Sequence, residues 1–444
     1  MQTRRDHLHA YQFATGRLAS ALVSGTPGNG EAPMHSAGLG AMFGALLAVL
    51  LVIGSVVFGF LKPAENTSWK HTGALVVQKE TGTRYLYVKG ELHPTLNYAS
   101  ALLAAGSGAT VTEVSRASLS GVRRGSTIGI AGAPDDVAEP SALLTGAWAD
   151  CLRPGPQAVE RLDFAPQSAR PVPDDTRVLV AGPHDSRYVV WKDTKYPIDG
   201  RPSLLALGLD TERPVQATQP WLDALPTGAT VSPAAIPGAG KGGRTVAGSR
   251  ATVGSLFRTV VGSTHHYYVL RNDGMAPLNQ TEAALLAARP GGRQPVGVSP
   301  TDIAAVPSSS DSSLLHRLPD LLAGKDATSD SGGALCLRRS TSGNKVHSTV
   351  VRESGRVMTA RATAVLPTEH AVLAAPPKQP GATKDPTPFL ITDQGVKYEL
   401  VGSAGQALGY GSVTPRTLPS TTLDQIPNGP RLRRSRAVTV AGVD

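Results

Sequence analysis

Hydrophobic positions fall into three regimes along the chain. Near the start, Leu8, Tyr11, Thr15, Leu18 and Leu22 recur at steps of three and four, the period of one helical face. Thr3-Arg4-Arg5-Asp6 just ahead has the spacing of a capping box. The pattern predicts one amphipathic helix of about twenty residues, followed by the glycine-rich joint GTPGNG at Gly25 to Gly30. Next comes Leu39 to Leu61, LGAMFGALLAVLLVIGSVVFGFL, a run of 23 residues without a charge. As a helix it is long enough to cross a bilayer core of roughly 30 Å. From Gly73 onward the apolar residues come in short alternating runs broken by Gly, Pro and Asp, which is the punctuation of strands and turns.

The alternating region repeats itself. RYLYVKGELHPTLNYASALL, Arg84 to Leu103, returns as HYYVLRNDGMAPLNQTEAALL, His266 to Leu286. The same order, a strand hairpin, a proline and a short apolar helix, recurs at Val178 to Leu207 and more weakly at Pro388 to Ser412. Four copies are therefore expected, near 73–106, 178–209, 256–288 and 388–412. Cys151-Leu152-Arg153 lies between the first and second, and Cys336-Leu337-Arg338 between the third and fourth. These matches divide the region into two halves, roughly 73–250 and 256–440. The expected arrangement is an approximate two-fold, with four small lobes about a central β domain drawn from 140–177 and 331–370. A hairpin and one short helix are too small to hold alone, so each lobe is expected to lean on the centre.

Composition and charge narrow the class. The chain has 444 residues, with 43 Lys plus Arg against 34 Asp plus Glu, a net charge of +9. Only 17% of residues are charged, so the excess suits an anionic neighbour such as lipid or wall polymer without demanding nucleic acid. Nearly forty residues precede the apolar run and no small-x-small site follows Phe60, which favours an uncleaved anchor, giving segments 1–38, 39–61 and 62–444. Its orientation stays open on charge alone, since Lys62 and Lys70 lie nearer the span than Arg4, Arg5 and Arg17. Cys151 and Cys336 are the only cysteines, and both follow the span. They suit a disulfide in an oxidising compartment, with two unrelated buried thiols as the alternative.

Candidate chemistry is sparse. IPGAGKGG, Ile236 to Gly243, looks like a phosphate loop, yet Ala235 stands where the motif needs glycine and Gly242 where it needs a hydroxyl. A flexible linker between the halves is the expectation there. His265 and His266 are adjacent on a predicted strand and point to opposite faces. Asp135-Asp136 and Asp174-Asp175 are paired only in sequence, within proline-rich loops. Ser308 to Ser313 reads as a solvated loop and Arg431 to Arg436, RLRRSR, as a solvated terminal segment or an anionic-polymer contact. Tyr85, Tyr87, Tyr188, Tyr267 and Tyr268 alternate with valines as lobe-core residues do, with sugar stacking the rival reading.

Taken together, TRRDHLHAYQFATGRLASALVSG, one anchor at 39–61, the repeated strands, IGIAGAP at Ile128 and the two Cys-Leu-Arg triplets resemble EccB, the single-pass membrane component of the type VII (ESX) secretion apparatus. The resemblance covers nearly the whole chain. It implies a single-pass membrane protein with a cytoplasmic N-terminus and a β-rich α+β extracytoplasmic domain of four repeat lobes about a disulfide-linked centre, Cys151 to Cys336. It implies a structural role in assembly with the other membrane subunits, including the FtsK/SpoIIIE-type ATPase, and self-association; Leu8, Tyr11, Leu18 and Leu22 are the expected partner-binding residues. Some members of the family are described as ATPases. No catalytic, cofactor-binding or metal residue is carried over, so ATP enters only as the alternative cofactor, beside a wall-binding role.

Overall fold

Ala, Leu and Arg dominate Arg4 to Ser24, a composition that favours helix, and the computed structural model has α1 there (Arg4–Ser24) and α2 at His35–Leu61. The structure describes residues 4–24, 35–61, 67–326, 333–342 and 345–441. Thr3 and the Gly25 to Gly30 joint lie outside them. Within α2, Gly38–Phe58 is long and apolar enough to cross a membrane, with mean hydropathy 2.7 over its central window. The chain divides into two compact units, 1–68 with 114–120, and 69–113 with 121–444. Both long helices belong to the first.

The second unit is built from small sheets. Short apolar runs separated by two-residue turns fold as meanders, and Lys89-Gly90 and Lys192-Asp193 take the positive φ such turns require. β1 (Ala74–Gln78), β2 (Arg84–Val88) and β3 (Glu91–Pro94) precede α3 (Tyr98–Ala105), flanked by β4 (Val111–Val114) and β5 (Arg123–Arg124) in the order β4-β1-β2-β3-β5. Then β6 (Trp148–Arg153), β7 (Val159–Asp163) and β8 (Arg170–Pro171) open a different sheet. The meander returns as β9 (Thr176–Ala181), β10 (Arg187–Trp191) and β11 (Thr194–Pro197), with α4 (Gly200–Leu207), β12 (Val215–Gln216) and α5 (Gln219–Asp223). β13 (Gly242–Val246) and β14 (Ser249–Thr252) form a separate hairpin.

A third meander follows, β15 (Leu256–Val261), β16 (Thr264–Leu270) and β17 (Met275–Leu278), with α6 (Gln280–Ala288), β18 (Val296–Gly297) and α7 (Pro300–Ala304). After β19 (Lys325–Asp326) come β20 (Ala334–Ser342), β21 (Lys345–Glu353), α8 (Arg356–Thr359) and β22 (Ala364–Val365). The last meander is β23 (Ala371–Ala375), β24 (Phe389–Thr392) and β25 (Lys397–Glu399), with α9 (Ala404–Ala407), β26 (Arg416–Thr417), α10 (Ser420–Asp424) and α11 (Arg434–Ala437). In the second, third and fourth meanders the strand after the first helix returns parallel to the opening strand, at β12, β18 and β26. The chain then bridges the third strand in parallel, at Lys195 with Thr227, Met275 with Ser308 and Lys397 with Asn428.

Three expectations are corrected by this arrangement. The unit is a three-stranded meander rather than a hairpin, because the segments carrying Pro94, Pro197 and Pro277 pair as a third strand. The fourth meander begins at β23, ahead of the expected boundary at 388, since a proline-rich excursion through Pro376, Pro377 and Pro380 parts its first two strands. The lobes also do not all lean on the centre. The second and fourth pack on the central sheet, through clusters holding Leu152, Trp221 and Leu337, and Trp148, Leu162 and Leu418. The first instead shares its core with the fourth, through Leu86, Leu103, Leu390 and Leu400, while Leu285 of the third joins Leu207 and Leu321 beside the second.

The two outer meanders resemble each other in detail, as do the two inner ones. Asn97 and Asn279 each cap the helix that follows, accepting from the backbone of Ser100 and Glu282, while donating to distant carbonyls, Ile130 and Leu318. Lys195-Tyr196 and Lys397-Tyr398 occupy the third strand of the other two. Gly228 and Gly429 lie under those tyrosine rings, where an added Cβ would fall 2.2 Å from a ring carbon.

Candidate functional site

The central sheet has the order β22-β7-β6-β20-β21-β8, so strands from both halves of the sequence interleave in one sheet. Antiparallel register sets Cys336 opposite Cys151, and the two are bonded with their Cα atoms 4.0 Å apart. Both are fully buried. Glu353 Oε2 lies 3.6 Å from Cys151 Sγ. The bridged sulfur carries no proton, so that approach is a packing contact. Three potential donor atoms, from Cys151, Cys336 and Glu353, cluster within 4.8 Å, but the bond between the sulfurs leaves no thiolate to hold an ion. Burial, and then the charge of Asp163, pushes Glu353 up to about 7. Burial raises Asp163 as well.

The other face of the sheet is where the second and fourth meanders meet. Glu160 accepts from Thr218 at the start of α5 and from Gln425 just beyond α10. Trp221 donates its indole N–H to the Asp150 carbonyl at 3.0 Å, and Arg339 reaches Thr422 at 3.3 Å. Asp150 is buried beside Glu160, with the Arg339 guanidinium 4.0 Å away, and its carboxyl is raised chiefly by burial. This network ties the second and fourth meanders to one sheet through buried polar groups, an arrangement that specifies geometry more than it adds stability.

The remaining singled-out residues disperse. Leu8, Tyr11, Leu18 and Leu22 share one stripe of α1 and are exposed by 58, 71, 64 and 83%. Ile236 to Gly243 is no slack linker. Ile236 is buried, Gly240 and Lys241 exchange backbone bonds with Val253, and the chain runs on into strand β13 rather than a helix. That is why the sequence has glycine at Gly238 and Gly240, both at positive φ. His265 and His266 are exposed on β16. Asp135 binds Arg84 at 2.6 Å, and Asp175 binds Lys325 at 2.8 Å. The Ser308 to Ser313 loop wraps Asp273, whose carboxyl is held down to about 2 by the N–H and hydroxyl donors of Ser309 and Ser310. RLRRSR is anchored by buried Leu432 and followed by buried Ala437, so its arginines stand on ordered chain. Tyr85 is buried, while Tyr87, Tyr188, Tyr267 and Tyr268 are half-buried. Glu160 escaped sequence reasoning because nothing local marks a residue whose partners are 58 and 265 positions away.

Among the described residues, one helix of membrane-crossing length precedes a large disulfide-bonded β-rich unit, the layout of a membrane-associated protein. Residues 1–443 match the family described as Type VII secretion system ESX-1, transport TM domain B. The chain belongs to that family, the EccB components of type VII secretion membrane complexes. It is 26% identical to the ESX-3 secretion system ATPase EccB3 of Mycolicibacterium smegmatis, an alignment covering 98% of this chain and 90% of the relative. Its identity to the ESX-5 secretion system ATPase EccB5 of Mycobacterium marinum is 25%, covering 98% and 92%. Among solved structures, a subunit of an intact ESX-5 inner membrane complex superposes with a TM-score of 0.59 at 22% identity, covering 100% of this chain and 96% of that one. The EccB3 dimer from the ESX-3 core complex gives 0.54 at 24%, covering 82% and 100%. At those identities the likeness establishes the fold.

Proposed function

We propose that the protein scaffolds the type VII secretion membrane complex as a single-pass subunit with its N-terminus in the cytoplasm and its β domain outside. In this reading the four meanders are copies of one repeat, the inner pair fixed to the central sheet and the outer pair available to neighbours. The helix α1 binds other membrane subunits, the FtsK/SpoIIIE-type ATPase among them, and the β domain self-associates as in the dimeric relative. The observation that carries the reading is the stripe of Leu8, Tyr11, Leu18 and Leu22, left open along a helix of 21 residues. A short helix of this kind gains most of its stability from burying an apolar face against something else. Co-purification after mild detergent extraction tests it. Leu18→Asp with Leu22→Asp is expected to release the protein from its partner subunits while leaving the β domain folded. Retention of every partner would overturn the reading.

A second reading is favoured by the names of the relatives, which call them ATPases. In it, Lys241 in the Gly238 to Gly243 turn contacts phosphate. ATP turnover by the purified full chain, abolished by Lys241→Ala with folding intact, would establish it. Turnover indifferent to Lys241 would remove that turn as the site.

A further inference from the structure

At the open edge of the central sheet, antiparallel register sets Arg170 of β8 directly opposite Arg352 of β21. Like charges facing each other across a ladder repel unless an anion lies between them. Among the described residues no carboxylate pairs with either arginine. Glu353, next along β21, turns its carboxyl toward Cys151 instead. Arg352 Nη2 is buried and has no acceptor. Partial burial lowers the Arg352 pKa, with no neighbouring carboxylate to raise it. Both arginines line a cleft of about 670 Å³, together with Ser168, Pro171, Val172, Ser354 and Glu353, the last with its carboxyl toward Cys151.

We propose that this cleft binds a carboxylate presented by a polypeptide, an acidic side chain gripped by the two guanidinium groups. Guanidinium forks match the planar carboxylate with paired N–H bonds, offered here by exposed Arg170 and by the part of Arg352 that faces the cleft. The cleft has room for more than the anion alone. Its wall of Pro171, Val172 and Pro173 offers apolar contact to the chain flanking an acidic residue. β8 contributes only two residues to the sheet edge, so extended chain has access from that side.

Thermal unfolding of the full chain in detergent, at constant ionic strength, tests the site with N-acetylglutamate amide against its neutral isostere N-acetylglutamine amide. The acidic probe is expected to raise the melting temperature saturably and the neutral one to leave it unchanged. Arg170→Gln, at an exposed position, is expected to weaken the apparent affinity about tenfold, which is about 1.4 kcal/mol. Arg258→Gln, on the third meander, is expected to leave it unchanged. Equal shifts with both probes, or an undiminished shift in Arg170→Gln, would overturn the site. Saturation by inorganic phosphate at lower concentration than the peptide probe would overturn its assignment to carboxylate.

Discussion

Lys195 donates from Nζ to the backbone carbonyl of Leu222 at 2.5 Å, inside the protein rather than at its surface. Lys397 makes the same bond to Leu423. Each lysine thus closes the C-terminal end of a five-residue helix, α5 or α10, that packs on the central sheet. Lysine is rarely buried without a partner, and burial lowers the pKa of both, partly offset by Asp223 and Asp424. The bond adds a charged donor to a carbonyl that already accepts a backbone N–H, from Leu225 at Leu222 and from Ile426 at Leu423. Lys195→Met is expected to cost about 0.5–1.5 kcal/mol by removing one of that carbonyl's hydrogen bonds, and Lys397→Met a similar amount. Denaturant titration of each variant checks both, and agreement between the two would mark the sites as equivalent.

The glycines beneath the neighbouring tyrosines give a sharper test. A methyl at Gly228 or Gly429 would sit 2.2 Å from Cε1 of Tyr196 or Tyr398, so ring or backbone must move. Gly228→Ala and Gly429→Ala are each expected to destabilise by about 1–3 kcal/mol through overpacking. Gly146→Ala, where nothing lies within 4 Å of the new atom, serves as the control and should be neutral or slightly stabilising. Matching melting-temperature losses at 228 and 429 with none at 146 is the expected result.

Much of this architecture was legible in the sequence because it is local. The three- and four-residue steps through Leu8 to Leu22 and the uncharged run after Gly38 mark the two long helices directly. The recurring aromatic, glycine and proline spacing marks the meanders, since a two-residue turn and an alternating strand leave their period in the chain. What stayed hidden depends on partners distant in sequence. Nothing near Lys195 says that it is buried, and nothing near Glu160 says that Thr218 and Gln425 converge on it. The excursion between β23 and β24 hid a strand because it breaks the spacing that the other meanders share. Likewise, the choice of neighbour over centre for the outer meanders lies in which helix faces meet, and short apolar helices look alike in sequence.

The Cys151 to Cys336 bond closes a loop of 185 residues between the two halves of the β domain. In the chain-entropy model such a loop contributes about 4–5 kcal/mol by restricting the unfolded state. Cys151→Ala with Cys336→Ala is expected to lose that contribution and to add the cost of the cavity left by two buried sulfurs. Because both sulfurs are fully buried, the native protein is expected to resist mild reductant until denaturant opens the sheet. Maleimide labelling after reduction, with and without urea, reads this out. Rapid labelling of the native protein would show that the central sheet opens locally.

Glu353 makes the stability of the domain depend on pH in an unusual direction. Its carboxyl is raised from 4.5 to about 7, chiefly by burial and then by the charge of Asp163, so the folded protein keeps a proton that the unfolded chain releases. Across the window from 4.5 to about 7 the native state binds more protons than the unfolded state, and stability therefore falls as pH rises. The group confers no penalty below that window and its full penalty above it, of order 2–3 kcal/mol. Wild-type protein is expected to unfold at higher denaturant concentration at pH 5 than at pH 7.5. Glu353→Gln, which cannot ionise, is expected to flatten this slope and to match or exceed the wild type at pH 7.5. Asp163 is raised by its own burial, so some slope should survive in that variant. A wild-type profile that climbs from pH 5 to 7.5 would mean that Glu353 is ionised in the fold, held by the nearby Arg356 and Arg338 whose charges already pull its pKa down.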